Sequence, residues 1–202
     1  MKDLIYFFKK YGIDKLRVLE IGCGYGYNFE DFQEGSLAIE NRKEVVKILR
    51  EKDLNVYNIN VEDSYLNIEE KSFECCVIMD CLSHLVSPFK VLLEIRYILN
   101  DKGILLIQVP KYSRWFKSYI SPEHFYTFNY RTIKLTLENA GFKVIEHNGY
   151  IRKFPLWLNK ILYYPLRYFS PNLWIVAKKG DMKINNKSIQ PEWIQDSIWN
   201  QK

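Results

Sequence analysis

No apolar run in the chain approaches the roughly 20 residues that a bilayer span requires, so no spanning helix is expected. Near the start, Lys9 and Lys10 interrupt the only apolar stretch. That leaves no signal-peptide pattern, and a cytoplasmic location is the expectation. Cysteine is scarce, at four residues, and no pair has C-x-x-C spacing. Neither a zinc site nor a thiol redox motif is therefore supported, and no metal is expected. Cys75, Cys76 and Cys81 fall in or beside one apolar run and read as small fillers in a reducing compartment. With three histidines, candidates for proton transfer narrow to His84, His124 and His147. Acid is missing between His147 and Gly180, a stretch that holds six of the basic residues. Without those six, the other basic residues and the 24 acidic ones balance to within one charge, so the net +5 is local to the C-terminal third.

What is present is a chain of 202 residues, 48% hydrophobic, enough for one sizeable core. Residues 2–11 space their apolar side chains as an amphipathic helix. Strands are expected at Leu16 to Ile21, Ser36 to Glu40, Leu54 to Asn60, Phe73 to Met79, Ile104 to Val109, Phe142 to Glu146 and Leu173 to Lys178. Between them, helices are expected around Tyr27 to Gln33, from Arg42 to Lys52, from Ser87-Pro88 to near Asn100, and from Tyr130 to Ala140. In the second of these, Val45, Val46, Ile48 and Leu49 should face inward. Asn129 is the expected cap of the last, with Phe128 and Ile133 as a staple across its first turn. Alternating strands and helices argue for a doubly wound α/β sheet. Residues 1–180 read as one domain, with insertions at 111–130 and 151–171 covering the site, and 181–202 as a polar tail.

The first strand ends in Glu20-Ile21-Gly22-Cys23-Gly24-Tyr25-Gly26. Glycines there let the backbone turn sharply and approach a ligand. A dinucleotide fingerprint, G-x-G-x-x-G, would need glycine at position 27, which is Tyr27. A P-loop would need G-K-[ST], which does not follow. An acid two residues before the first glycine suits a cationic ligand better than a pyrophosphate, which it would repel. S-adenosylmethionine has an amino group, a sulfonium and no phosphate. The whole turn, Cys23 and Gly26 included, is the expected cradle. Glu40, at the end of the second strand, is placed to accept both ribose hydroxyls. One carboxylate of Glu62-Asp63, after the third strand, could accept from the adenine amino group, with Asp63 slightly ahead.

Taken as a set, these segments resemble class I S-adenosylmethionine-dependent methyltransferases, in the small-molecule type 11 and type 23 branch. Val18 to Gly26 is similar to that family's first motif. Phe73-Glu-Cys-Cys-Val-Ile-Met-Asp-Cys-Leu-Ser-His84 is similar to its fourth-strand motif. Phe89 to Gly103, Ile104 to Pro110 and Glu123-His124 to Phe142 resemble the elements that follow. The resemblance implies a Rossmann-like seven-stranded sheet of order 3-2-1-4-5-7-6 with an antiparallel last hairpin. It carries cofactor contact onto Glu20, Gly22, Gly24, Glu40, the Glu62/Asp63 pair and the Asp80-Cys81 turn. Glu74 departs from the family's usual Asp, and Asn100 to Gly103 lacks one glycine of its usual turn. About fifteen residues precede the first strand, so the lid helices at that end are expected to shrink to one.

Transfer from a sulfonium needs an acceptor held in line with the methyl carbon, and a base only when the acceptor carries a proton. His84 lies just past the fourth strand, placed to orient or deprotonate a substrate. His124 lies in an aromatic run that should face the acceptor. Segment 111–130, with Arg114 among aromatics, suits a flat or apolar acceptor bearing negative charge. A small-molecule, sugar or lipid-linked acceptor is the leading expectation. A cofactor-binding regulatory or partner subunit without turnover is the alternative. Nucleic acid is disfavoured, because no N-P-P-[YF] motif and no RNA module accompany the site. The aromatic and basic residues of 151–171 suggest either peripheral membrane contact or a cover over the pocket or a homodimer interface.

Overall fold

The computed structural model describes residues 2–63, 65–111, 122–149, 158 and 170–180. Segment 151–169, apart from Leu158, and the tail 181–202 lie outside the described residues, as do 112–121. The expectations for a lid, a membrane contact and a polar tail fall there. Seven strands run in chain order: β1 Val18–Ile21, β2 Leu37–Glu40, β3 Val56–Asn58, β4 Phe73–Met79, β5 Leu99–Pro110, β6 Phe142–Gly149 and β7 Asn172–Lys179. They form one sheet of order β3-β2-β1-β4-β5-β7-β6. The strands from β3 to β5 pair in parallel, while β7 runs antiparallel to both β5 and β6. This is the order and handed pattern that the resemblance implied.

Among the described residues, α1 Lys2–Tyr11, α2 Lys43–Glu51, α3 Pro88–Ile98 and α4 Tyr130–Asn139 flank the sheet. Alternation of side chains along the central strands feeds two faces at once. Leu19, Ile21, Cys76, Ile78, Leu105 and Ile107 bury against Leu92, Ile95 and Ile98 of α3 and Ile133 and Leu137 of α4. On the other face, Val18, Cys75, Val77 and Leu106 meet Phe7 and Phe8 of α1, and Phe7 stacks on Trp174 at 5.2 Å. Ala38 and Val56 pack under Val45, Val46 and Leu49 of α2. With helices on both faces, the carboxyl ends of the strands are where a ligand meets the sheet.

Three local expectations change. The helix expected around Tyr27 to Gln33 is a single 3₁₀ turn, Phe29–Asp31. Phe29 and Phe32 pack edge to face at 5.7 Å beneath α1 and α2, and Asn28 is drawn to Glu20, so one tight turn satisfies all three. Ile48 faces solvent at 42% exposure, because the buried stripe of α2 is Val45, Val46 and Leu49. β5 starts at Leu99, directly after α3, and Leu99 already pairs with Phe73 ahead of a bulge. The cap of α4 holds as expected: Asn129 and Thr132 exchange side-chain to backbone hydrogen bonds at 3.0 Å each. No helix among the described residues is long and apolar enough to cross a membrane.

Candidate active site

Around the carboxyl ends of β1, β2 and β4 lies a cleft of about 470 Å³, walled by Gly22, Glu40, Asn60, Glu62, Asp80 and His84 among others. Two other hollows, beside Asn67 and Tyr97 and along the solvent side of α2, carry none of these strand-end residues. The strand-end cleft is therefore the site to build.

Glu20 is the penultimate residue of β1 and is 1% exposed. One oxygen, Oε1, accepts from Asn28 Nδ2 at 2.9 Å, while the buried Oε2 has no hydrogen-bond partner. Burial pushes its pKa up to about 7, against the smaller lowering effect of Asn28. A buried carboxylate oxygen without a donor is costly, and a ligand ammonium would satisfy it. This acceptor thus fits the amino group of S-adenosylmethionine, which would donate to it. Above it, the glycine turn is held in left-handed backbone. At Gly22, a Cβ would sit 2.8 Å from Cys81 Sγ, so the first glycine lets the β1 and β4 turns touch. A Cβ at Gly26 would sit 2.9 Å from Leu49 Cδ2, which makes that glycine a packing requirement of α2. Gly24, with φ +55°, turns its N–H onto Glu40 Oε2 at 3.0 Å.

Glu40, 4% exposed, ends β2 in the opposite electrostatic state. Oε1 accepts from the backbone N–H and Nε of Arg42, both at 3.0 Å. Oε2 accepts from Gly24 N–H at 3.0 Å and from the Arg42 terminal amine at 3.3 Å. Burial alone would raise its pKa, but the Arg42 and Gly24 bonds together hold it below the ordinary carboxylate value. Asn58 steadies the turn by donating to the carbonyls of Glu40 and Asn41, each at 3.0 Å.

Past β3, Glu62 lies on the cleft wall and Asp63 does not. Asn60 explains the split: its Nδ2 draws Asp63 Oδ2 aside at 2.8 Å, and its Oδ1 accepts from Glu62 N–H at 3.2 Å. Glu62 Oε1 also accepts from the N–H of Ser87 at 2.6 Å, and Lys90 Nζ donates to the Glu62 carbonyl at 2.9 Å. The loop that would meet adenine is thereby anchored to the first turn of α3.

At the end of β4, Asp80 adopts φ +50°, a conformation Asp tolerates better than most residues. Although the residue is exposed, the walls around its carboxyl raise its pKa, opposed by a hydrogen bond with buried Gln108 and by both nearby imidazoles. A 3₁₀ turn, Leu82–His84, follows. Ser83 O accepts from the N–H groups of Phe125 and Tyr126 at 2.9 and 3.2 Å, which lays segment 123–126 against this turn. The imidazoles of His84 and His124 consequently meet edge to face, with ring centroids 4.4 Å apart. His84 Nδ1 lies 3.2 Å from the Glu123 carbonyl oxygen. A carbonyl only accepts, so this bond puts the proton on Nδ1 and leaves Nε2 of a neutral ring as the proton acceptor. Burial, then the neighbouring His84, lower the pKa of His124, while Asp80 and Glu123 act the other way.

Cys81 also lines the cleft, while Cys23 packs in the cluster under α2. Burial, then nearby carboxylates, push each thiol up to about 12, so both stay protonated and apolar in character. His147 stacks on Tyr130 at 3.7 Å in β6, away from the cleft wall. Among the described residues, no group of three or more His, Cys, Asp or Glu is arranged to hold a metal. The sequence reading missed Arg42, Asn28 and Gln108. An arginine two positions past a strand-end acid, and an asparagine inside an aromatic run, were the available signals.

The sheet order, the glycine turn and the acids at successive strand ends define a class I methyltransferase fold. Residues 1–147 match the Methyltransferase domain family of type 23, and the chain belongs to that family: it is an S-adenosylmethionine-dependent methyltransferase. Among solved structures, a SAM-dependent methyltransferase from Archaeoglobus fulgidus shares 18% identity at a TM-score of 0.67, covering 89% of this chain and 95% of that one. One from Aquifex aeolicus shares 19% at 0.64, covering 87% and 88%. The Burkholderia thailandensis 1,6-didemethyltoxoflavin-N1-methyltransferase, solved with 1,6-didemethyltoxoflavin and S-adenosylhomocysteine, shares 17% at 0.65, covering 88% and 76%. At such identities these likenesses speak to the fold alone. No curated protein matches the chain.

Proposed function

We propose that the protein methylates a small-molecule, sugar or lipid-linked acceptor bound against His84 and His124. The observation that carries this reading is the pair of touching imidazoles at the cofactor end of the sheet, beside Asp80. Glu20 would hold the amino group of the cofactor, Glu40 its ribose, and Glu62 its adenine edge. Bound S-adenosylmethionine supplies an activated methyl group, so the chain's task is to place an acceptor and handle its proton. His84 is set up for the second duty, with Nδ1–H committed to Glu123 and Nε2 left to receive a proton from a hydroxyl or ammonium acceptor. His124, its pKa lowered, is neutral at physiological pH and packs against His84 without adding charge.

The small-molecule methyltransferase named above gives this acceptor class a precedent on the same fold. Transfer of radiolabelled methyl to fractionated cell extract tests it. Label in the soluble or lipid pool supports the reading. Label confined to nucleic acid or protein overturns it.

A further inference from the structure

We infer that Arg42 is a built-in competitor for the ribose site: its guanidinium occupies the Glu40 positions that the cofactor diol must take. The inference rests on Glu40 being the ribose acceptor. A carboxylate offers about four lone-pair positions. In Glu40 all four are filled, two by backbone N–H groups of Gly24 and Arg42 and two by the Arg42 side chain. The backbone donors are fixed by the glycine turn and by the start of α2. The side-chain donors are not, because the Arg42 side chain is 53% exposed while that of Glu40 is 5% exposed. Two side-chain donors therefore stand where two ribose hydroxyls are needed.

Displacement also has somewhere to go. The guanidinium already lies 5.8 Å from the centre of the ring of Tyr25, a residue of the glycine turn. A shift toward that ring keeps a favourable cation–π contact while freeing the carboxylate. Because the guanidinium itself is half in solvent, water can replace Glu40 as its partner when a ligand takes the carboxylate. The effect of the ion pair is to keep Glu40 ionised and pre-oriented in the empty protein. The same pairing takes up part of the affinity that the diol would otherwise contribute.

Competition makes a signature that simple packing does not: the arginine and the diol must be non-additive. Calorimetry would compare S-adenosylhomocysteine, adenosine and 2′,3′-dideoxyadenosine on the parent protein, Arg42→Ala and Arg42→Gln. S-adenosylhomocysteine lacks the sulfonium charge, so loss of a cation does not confuse the comparison. We expect Arg42→Ala to bind it about three- to fivefold tighter, with Arg42→Gln in between. Loss of both hydroxyls should cost the parent less than about threefold and Arg42→Ala more than about tenfold. Equal diol dependence in both proteins overturns the competitor role and leaves the ribose assignment standing. Weaker S-adenosylhomocysteine binding in both variants shows that Arg42 holds the cofactor, and also overturns it. No diol dependence in any protein removes Glu40 from the ribose, and no S-adenosylhomocysteine binding by the parent removes the cofactor from this cleft.

Discussion

Glu20 near the end of β1 and Glu40 at the end of β2 are the same residue type, with 1% and 4% exposure, yet one is half-protonated near neutrality and the other fully ionised. Burial raises both. The difference is supply of donors: one asparagine reaches Glu20, whereas an arginine and two backbone N–H groups reach Glu40. Neighbouring strand ends thus play unlike parts, one awaiting a positive charge and the other already neutralised. A ligand with an ammonium at one end and a neutral diol further along matches that asymmetry.

The hardest break is at the turn joining the two acids. Gly24→Val puts a β-branched residue at φ +55° and disturbs the N–H that Glu40 accepts. We expect S-adenosylhomocysteine affinity to fall beyond about a hundredfold, the scale of losing oriented charge-assisted bonds. Unchanged affinity in protein with native circular dichroism would remove the turn from the cofactor site.

Next in size, Glu40→Ala made in the Arg42→Ala protein, where no guanidinium competes with the diol, should weaken cofactor binding by about 1.5–3 kcal/mol, through loss of charge-assisted hydrogen bonds. Titration calorimetry reads it directly. A loss under twofold would make Glu40 a support of the Gly24 turn rather than a ligand contact.

Glu20→Gln sharpens the contrast through pH. The raised pKa means that the folded protein keeps a proton which the unfolded chain releases above pH 4.5. Stability from this group is therefore full below 4.5 and is lost as pH rises through about 7. Denaturant unfolding of the parent should lose about 2 kcal/mol across that window, and Glu20→Gln should lose little of it. Glu40, with its lowered pKa, works in reverse: its contribution is present at neutrality and lost only in stronger acid. Affinity for the cationic cofactor should rise with pH through about 7 in the parent and lack that acid limb in Glu20→Gln. A parent unfolding profile flat from pH 5 to 8 contradicts the unpartnered state of the β1 acid.

The smallest expected change lies at the other wall. His124→Ala should lower methyl transfer at least about tenfold while leaving cofactor affinity within about twofold. Equal transfer in variant and parent assigns the ring to packing against His84.

Much of this site was legible in one dimension. Glu20, Gly22, Gly24 and Glu40 are candidates by their place at strand ends, since a parallel strand points its last residues at the ligand edge, whereas Asp80 is a candidate through the family resemblance. His84 follows from its distance past β4. Arg42 did not, because a residue before a helix gives no sign that its side chain will fold back onto the strand it has left. The sequence left Glu62 and Asp63 open with a slight lean to Asp63, whereas the structure puts Glu62 on the cleft wall, held by the Ser87 N–H 25 positions away, and bonds Asp63 to Asn60.

Periodicity and punctuation in the sequence determined the order of strands and helices, and the resemblance added the family and the arrangement of the sheet. These survive because hydrophobic alternation and glycine turns act locally, within a few residues. Only the tertiary structure decided which buried carboxylate holds a proton, which glycines serve packing rather than ligand, and that His84 and His124, 40 positions apart, touch. Those outcomes depend on which donors and walls arrive from distant segments, and desolvation in a closed cleft magnifies each arrival.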